Sequence, residues 1–266
     1  MKTRLISAFV TLIVFIPIFI IGGLLFKIVV FGVSILALKE FMDIKEAKHK
    51  TPDFIKFISY ITLTLIVLGR TKYNIESLSI DFRIIAELFL ALLIPVVLYH
   101  GKETYDVNDA FYLIGGLFFI GFAFNLLVVL REYNLGVLIY LFLITIMTDT
   151  YAYITGLLIG KNKLIPYISP KKTWEGMIGG TIFGVLFSTV FYIVVINPNV
   201  SIVGIIIVST FLSILGQLGD LVFSAIKRYY GKKDFSNIMP GHGGVLDRLD
   251  SIIFVMLGFM FFISIL

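Results

Sequence analysis

Long apolar runs dominate this 266-residue chain, and several reach the roughly 20 residues that a helix needs to cross a bilayer. Composition agrees, with 59% hydrophobic and 15% charged residues, where ordinary globular chains carry about 25% charged. The expected fold is an all-α polytopic integral membrane protein, embedded as a single domain. Nine membrane segments are expected, at approximately Leu5–Ile21, Leu24–Leu38, Phe54–Leu68, Ile84–Tyr99, Ala110–Leu130, Leu135–Ile159, Met177–Ile196, Val203–Phe223 and Leu249–Leu266. The second is short and has Lys27 near its start, so the first two are expected to form a hairpin that does not cross fully. The N-terminal run has no small-residue cleavage site and continues past Gly22-Gly23, which favours a retained span over a signal peptide. Glycine pairs at 22–23 and 115–116 mark hinges or close packing. The absence of cysteine excludes disulfides and thiolate metal sites.

Basic residues set the expected orientation. With nine crossings, the N-terminus and the loops after even-numbered spans share one side, which collects 17 of the 22 lysines and arginines. Positive-inside asymmetry places that side in the cytoplasm. The loops Gly160–Glu175 and Lys227–Arg248 both lie there. Asp220 falls about 10 Å below Lys227, and Asp149 about 16 Å before Gly160, at the helical rise per residue.

The run from Gln217 to Ser251 stands apart from the apolar background. It holds five basic residues, four acids, a histidine and three close-set glycines. Asp220, Ser224, Lys227 and Arg228 share one face if the segment is helical. Carboxylates suit a hard cation such as Mg²⁺, while lysine, arginine and glycine amides suit phosphate. Interleaving the two is what a metal–polyphosphate site requires. No Walker A element and no G-x-G-x-x-G is present, which argues against the familiar soluble nucleotide folds.

The sequence SAIKRYYGKKDFSNIMPGHGGVLDRLD, residues 224–250, resembles the signature of the phosphatidate cytidylyltransferases, or CDP-diacylglycerol synthases. Ser169-Pro170-Lys171-Lys172-Thr173-Trp174-Glu175-Gly176 and Asp149-Thr150 are also similar to that family. The specific resemblance covers approximately residues 145–252, the expected catalytic part. Residues 1–130 are expected to form supporting helices.

Each candidate has a plainer reading beside it. Asp220, an acid within a hydrophobic span, suits a metal or phosphate site, or a structural ion pair with Lys227 or Lys27. Asp247 suits an ordinary helix cap, yet with Arg248 and Asp250 after a Gly-Gly turn it also suits metal ligation. Asp149 fits either the site or a polar helix contact beside Gly156 and Gly160. Lys171 and Lys172 fit an interfacial anchor beside Trp174, and the resemblance adds triphosphate or phosphatidate binding. His242 could ligate metal, donate to phosphate, move a proton or serve as a loop residue. The Gly243 and Gly244 amides could meet phosphate. Gly176, Gly180 and Gly184 read as a packing seam. His49 and His100 read as solvated, Glu87 and Asn125 as inter-helix hydrogen-bonding groups, and Lys39–Lys56 as a solvated loop helix.

The resemblance implies cytidylyl transfer from CTP to phosphatidate, yielding CDP-diacylglycerol and pyrophosphate, at a site facing the cytoplasm from the cell membrane. One or two Mg²⁺ ions would lie on Asp220 and Asp247, with Asp250 behind them. Lys171, Lys172, Lys227, Arg228 and Ser224 would hold phosphates, and Arg248 would stabilise charge in the transition state. A homodimer is compatible with the glycine seams, and no nucleic-acid partner is implied. The rival readings are a CTP-dependent lipid-alcohol kinase and a secondary transporter of an anionic solute. The orientation has a direct test, because the chain lacks cysteine. A cysteine introduced at Asn162 or Ser236 should stay unlabelled by an impermeant thiol reagent in intact cells and label after permeabilisation.

Overall fold

The computed structural model describes residues 13, 16–69, 82–100, 104–239, 241 and 243–262. The chain gathers into two compact units, one of residues 1–132 and 230–248, the other of residues 133–229 and 249–266.

In the first unit, α1 (Gly23–Lys45) begins at a break where Gly22 and Gly23 adopt φ of 67° and 59°. Side chains rarely adopt such angles, and the helical residues 16–21 end there. Arg131 closes that end, donating to the carbonyls of Phe19 (2.6 Å) and Ile20 (2.8 Å). The second segment, expected to be short at Leu24–Leu38, is one unbroken helix of 23 residues. It continues through the charged stretch because Phe41, Met42 and Ile44 keep burying apolar surface. Lys27 pairs with Glu132 at 2.6 Å. Helices α2 (Asp53–Leu68), α3 (Phe82–Leu98) and α4 (Val107–Tyr133) complete this unit's helices. As expected, Asn125 makes inter-helix hydrogen bonds, donating to the carbonyls of Val67 and Gly69.

The start of α4 is a reciprocal cap, in which Asp106 accepts from the Asp109 amide and Asp109 from the Asp106 amide. Asp109 is buried and also meets Lys45 at 2.8 Å and His49 at 2.7 Å. His49, expected to be solvated, is half-buried and hydrogen-bonds Asp109. Within Lys39–Lys56, expected to be solvated, Lys39, Asp43, Lys48 and Lys50 are exposed, whereas Glu40 is 1% and Lys45 3% exposed.

The second unit contains α5 (Leu135–Ile159), strands β1 (Lys163–Ile165) and β2 (Ser169–Thr173), α6 (Trp174–Phe191) with a π-helical turn at Tyr192–Ile196, and α7 (Ile202–Tyr229). It also takes all but the start of α8 (Leu246–Phe259). Asn134 caps α5 and Thr173 caps α6, each through a side-chain oxygen accepting a backbone amide two or three residues on. The loop expected at Gly160–Glu175 is a β-hairpin, with Lys163 opposite Thr173 and Ile165 opposite Ser169. Glu175 closes its base by accepting from the Lys161 and Asn162 amides and the Asn162 side chain.

Helices α5 and α6 meet along small residues. A Cβ at Gly180 would lie 2.6 Å from the Thr148 carbonyl and 2.7 Å from the Ala152 Cβ, and one at Gly176 2.7 Å from the Ala152 carbonyl. Gly184 lies equally close to Thr148. The glycine seam is thus real, and α5 of the same chain packs against it. Helices α4, α5, α6 with its π turn, and α7 are each long and apolar enough to cross a membrane. The fold is that of an all-α membrane protein, and four such helices among the described residues stand where nine spans were expected. Most of the expected first span lies outside the described residues.

Gly180→Leu should overpack the seam by about 1–3 kcal/mol and lower the thermal midpoint of the solubilised protein. Gly115→Ala should leave it unchanged or raise it, because nothing lies within 4 Å of a Cβ there and alanine is the better helix former.

Candidate active site

The charged residues singled out above fall into two clusters, one in each unit. In the second unit, Asp220 lies on α7, whose apolar residues Leu212, Leu221 and Phe223 are buried. Lys172, in β2, reaches Asp220 Oδ2 at 2.6 Å, and Ser224, one turn along α7, donates to Oδ1 at 3.2 Å. Asp220 is thus ion-paired, with Lys172 in place of the expected Lys227 or Lys27. Lys227 is nonetheless close, buried and within electrostatic reach of Asp250. Asp149, on α5, lies beside the Ser251 side chain. Asp149, Asp220 and Asp250 lie within electrostatic reach of one another, so three carboxyl groups and two lysines share this region. Arg228 donates to the Ile168 carbonyl at the hairpin turn, at 3.3 Å, and both Arg228 and Lys171 are exposed. Among the described residues, no three acids or histidines are gathered tightly enough to chelate an ion as they stand.

In the first unit, the segment from Phe235 to Asp247 is a loop closed at both ends by carboxylates. Asp247 Oδ2 accepts from the Phe235 amide and the Gly244 amide, each at 2.9 Å. Glu40, on α1, accepts from the Ser236 hydroxyl and from the amides of Val245 (2.9 Å) and Leu246 (2.8 Å). Each carboxylate therefore ties one end of the loop to the other. Gly241 and Gly243 adopt φ of 78° and 84°, which lets so short a loop turn back on itself. A Cβ at Gly244 would lie 2.5 Å from Glu40 Oε1, so glycine there is a matter of space. The Gly244 amide is committed to Asp247, within the loop. Arg248 follows on α8 and is exposed. His242 lies outside the described residues.

A model of the cytidylyltransferase family matches residues 2–266. The chain belongs to that family. Among its relatives, a protein of Staphylococcus saprophyticus named phosphatidate cytidylyltransferase is 37% identical over 257 residues, 96% of each chain. Proteins of the same name from Staphylococcus haemolyticus and Staphylococcus aureus are each 37% identical, again over 96% of each chain.

Glu40 is the site residue that sequence reasoning missed. It sits in a charged stretch, Lys-Glu-Phe-Met-Asp, that reads as solvated. The signal that could have found it is helical spacing, since Glu40 shares a face with buried Ala37 and Ile44.

Substitution can separate the observed amide-accepting role of Asp247 from the metal-ligand role expected of it. Asp247→Asn can keep an oxygen where Oδ2 accepts its two amides, and so should leave the thermal midpoint nearly unchanged while abolishing turnover. Asp247→Ala removes the acceptor as well and should also cost stability, about 1 kcal/mol or more. Asp43→Asn, at an exposed position of α1, should do neither.

Proposed function

We propose that this membrane protein transfers the cytidylyl group of CTP to phosphatidate, forming CDP-diacylglycerol and pyrophosphate. The observation that carries this reading is the likeness, over 96% of both chains, to relatives bearing that activity as their name. The acceptor is a membrane lipid and the donor a water-soluble nucleotide. A scaffold that gathers charged groups onto apolar helices suits that pairing.

The lipid phosphate oxygen attacks the α-phosphorus of CTP in line. A bond forms from that oxygen to the α-phosphorus, the bond from the α-phosphorus to the β-bridging oxygen breaks, and pyrophosphate leaves with the electron pair. No protein nucleophile is needed, so the chain's task is to position and neutralise two anions. Lys171, Lys172, Lys227, Arg228 and Ser224 hold phosphate oxygens, with the Gly243 backbone as a further donor. Lys172 can exchange Asp220 for phosphate, because it joins that carboxylate only by a half-buried ion pair. Arg248 and His242 stabilise charge near the reacting groups.

The donor set fits Mg²⁺, being carboxylate oxygens without thiolate. Asp220 and Asp247 would hold one or two ions, with Asp250 in support. The hydrogen bonds on Asp247 Oδ2 and on Asp220 Oδ1 favour that role by fixing how each carboxylate points. When bound, the cation would neutralise triphosphate charge and polarise the α-phosphoryl group. The protein lies in the cell membrane with this site towards the cytoplasm, a reading supported by the 17-to-5 division of basic residues.

CTP labelled on the α-phosphorus should pass its label to the lipid fraction, and γ-label should leave as pyrophosphate. Label entering lipid from the γ position, with CDP as co-product, would identify a lipid-alcohol kinase instead.

A further inference from the structure

We infer that Glu40 is a positioning residue for the reaction, acting through the loop that carries Asp247 and Arg248; this rests on the cytidylyl-transfer reading above. Glu40 is 1% exposed, and burying a carboxylate is costly unless it is well supplied with donors. Its donors are the Ser236 hydroxyl and the two amides that open α8, all more than 190 residues away in the sequence. The carboxylate lies at the helix N-terminus, where the backbone amides favour negative charge. One side chain thereby fixes the first turn of α8, and that turn carries Asp247 and Arg248.

Three geometric facts indicate more than generic stabilisation. Glu40 and Asp247 clasp the same loop, one through Ser236, Val245 and Leu246, the other through Phe235 and Gly244. Glu40 also touches the backbone of Gly244 so closely that no side chain fits between them. Finally, both of its oxygens are used, Oε1 by Ser236 and Val245 and Oε2 by Leu246. Glutamine cannot reproduce this, because its amide nitrogen would face a second donor in place of an acceptor. Rotation of the first α8 turn would re-aim Asp247, and small misplacements of reacting groups carry large rate penalties.

The test compares Glu40→Gln, Ser236→Ala, Glu40→Asp, Gly244→Ala and the Glu40→Asp/Gly244→Ala double variant with wild type, in full-length detergent-solubilised protein. Rates are expressed per folded molecule. Glu40→Gln should lower kcat by roughly 10- to 100-fold while KM for CTP changes by less than about threefold. That split is expected because the lysines assigned to the triphosphate lie in the other unit. Ser236→Ala removes one donor and leaves the two amides, so it should shift kcat in the same direction by less. It also keeps the test alive should Glu40→Gln not fold. The double variant should lose less than the product of the two single losses, because the shorter aspartate vacates the space that the new Cβ needs. A merely structural residue would reduce the yield of folded protein and leave kcat and KM intact in what remains. Unchanged kcat per folded molecule in Glu40→Gln or Ser236→Ala, or strictly multiplicative losses in the double variant, would overturn the inference. Wild-type turnover of CTP and phosphatidate in the same assay separates this outcome from failure of the cytidylyl-transfer reading.

Discussion

A carboxylate withdrawn from water must be given donors, and the placement of those donors organises this protein's polar interior. Two solutions occur. Asp220 is answered by a lysine, Lys172, at the tip of a flexible side chain, and Asp109 by Lys45 together with the Asp106 amide. Glu40 and Asp247 are answered by backbone amides. The difference is mechanical. A lysine can leave one anion for another by rotating its side chain, whereas an amide can leave only if the backbone unwinds. The Lys172–Asp220 pair is a contact of the first kind, and the clasp on the loop before α8 is of the second. A reaction that must admit and release a polyanion has use for both.

The rigid frame of the second unit comes from the absence of side chains. Apolar helices in hydrocarbon gain little by hiding from lipid, so they associate where their backbones can approach closely. Gly176, Gly180 and Gly184 let α6 lie against Ala152 and Thr148 of α5. Thr173 belongs to the same arrangement, filling the space beside Gly156 and Gly160 while capping α6. Lys171 and Lys172 immediately precede it, so the seam sets where these two lysines start.

Much of this was legible in the sequence, for identifiable reasons. Apolar runs ending at Gly, Pro or Asn marked the helices, and α5 was placed to the residue because Asn134 and Gly160 flank it. The regular spacing of the α6 glycines announced their contact. The hairpin at 163–173 escaped notice because a three-residue strand leaves no periodicity, and Ser169-Pro170 reads as a turn. Lys172 and Asp220 each stand out in the sequence, but their pairing does not, since a contact across 48 positions has no local signature. Glu40 was hidden most thoroughly. Its neighbours are charged, and its partners are backbone atoms, which carry no residue identity at all.

That last separation bears on how the molecule comes into being. Glu40 belongs to α1, whereas its donors lie 196 to 206 positions later. Chains fold broadly from the N-terminus as they are made. For most of its synthesis, then, the helix bearing Glu40 must wait with an acidic group whose partners have not yet been translated. Only when the first turn of α8 has been made is the last of these donors, the Leu246 amide, in place. A ribosome product halted before Ser236 lacks each of these three donors to Glu40.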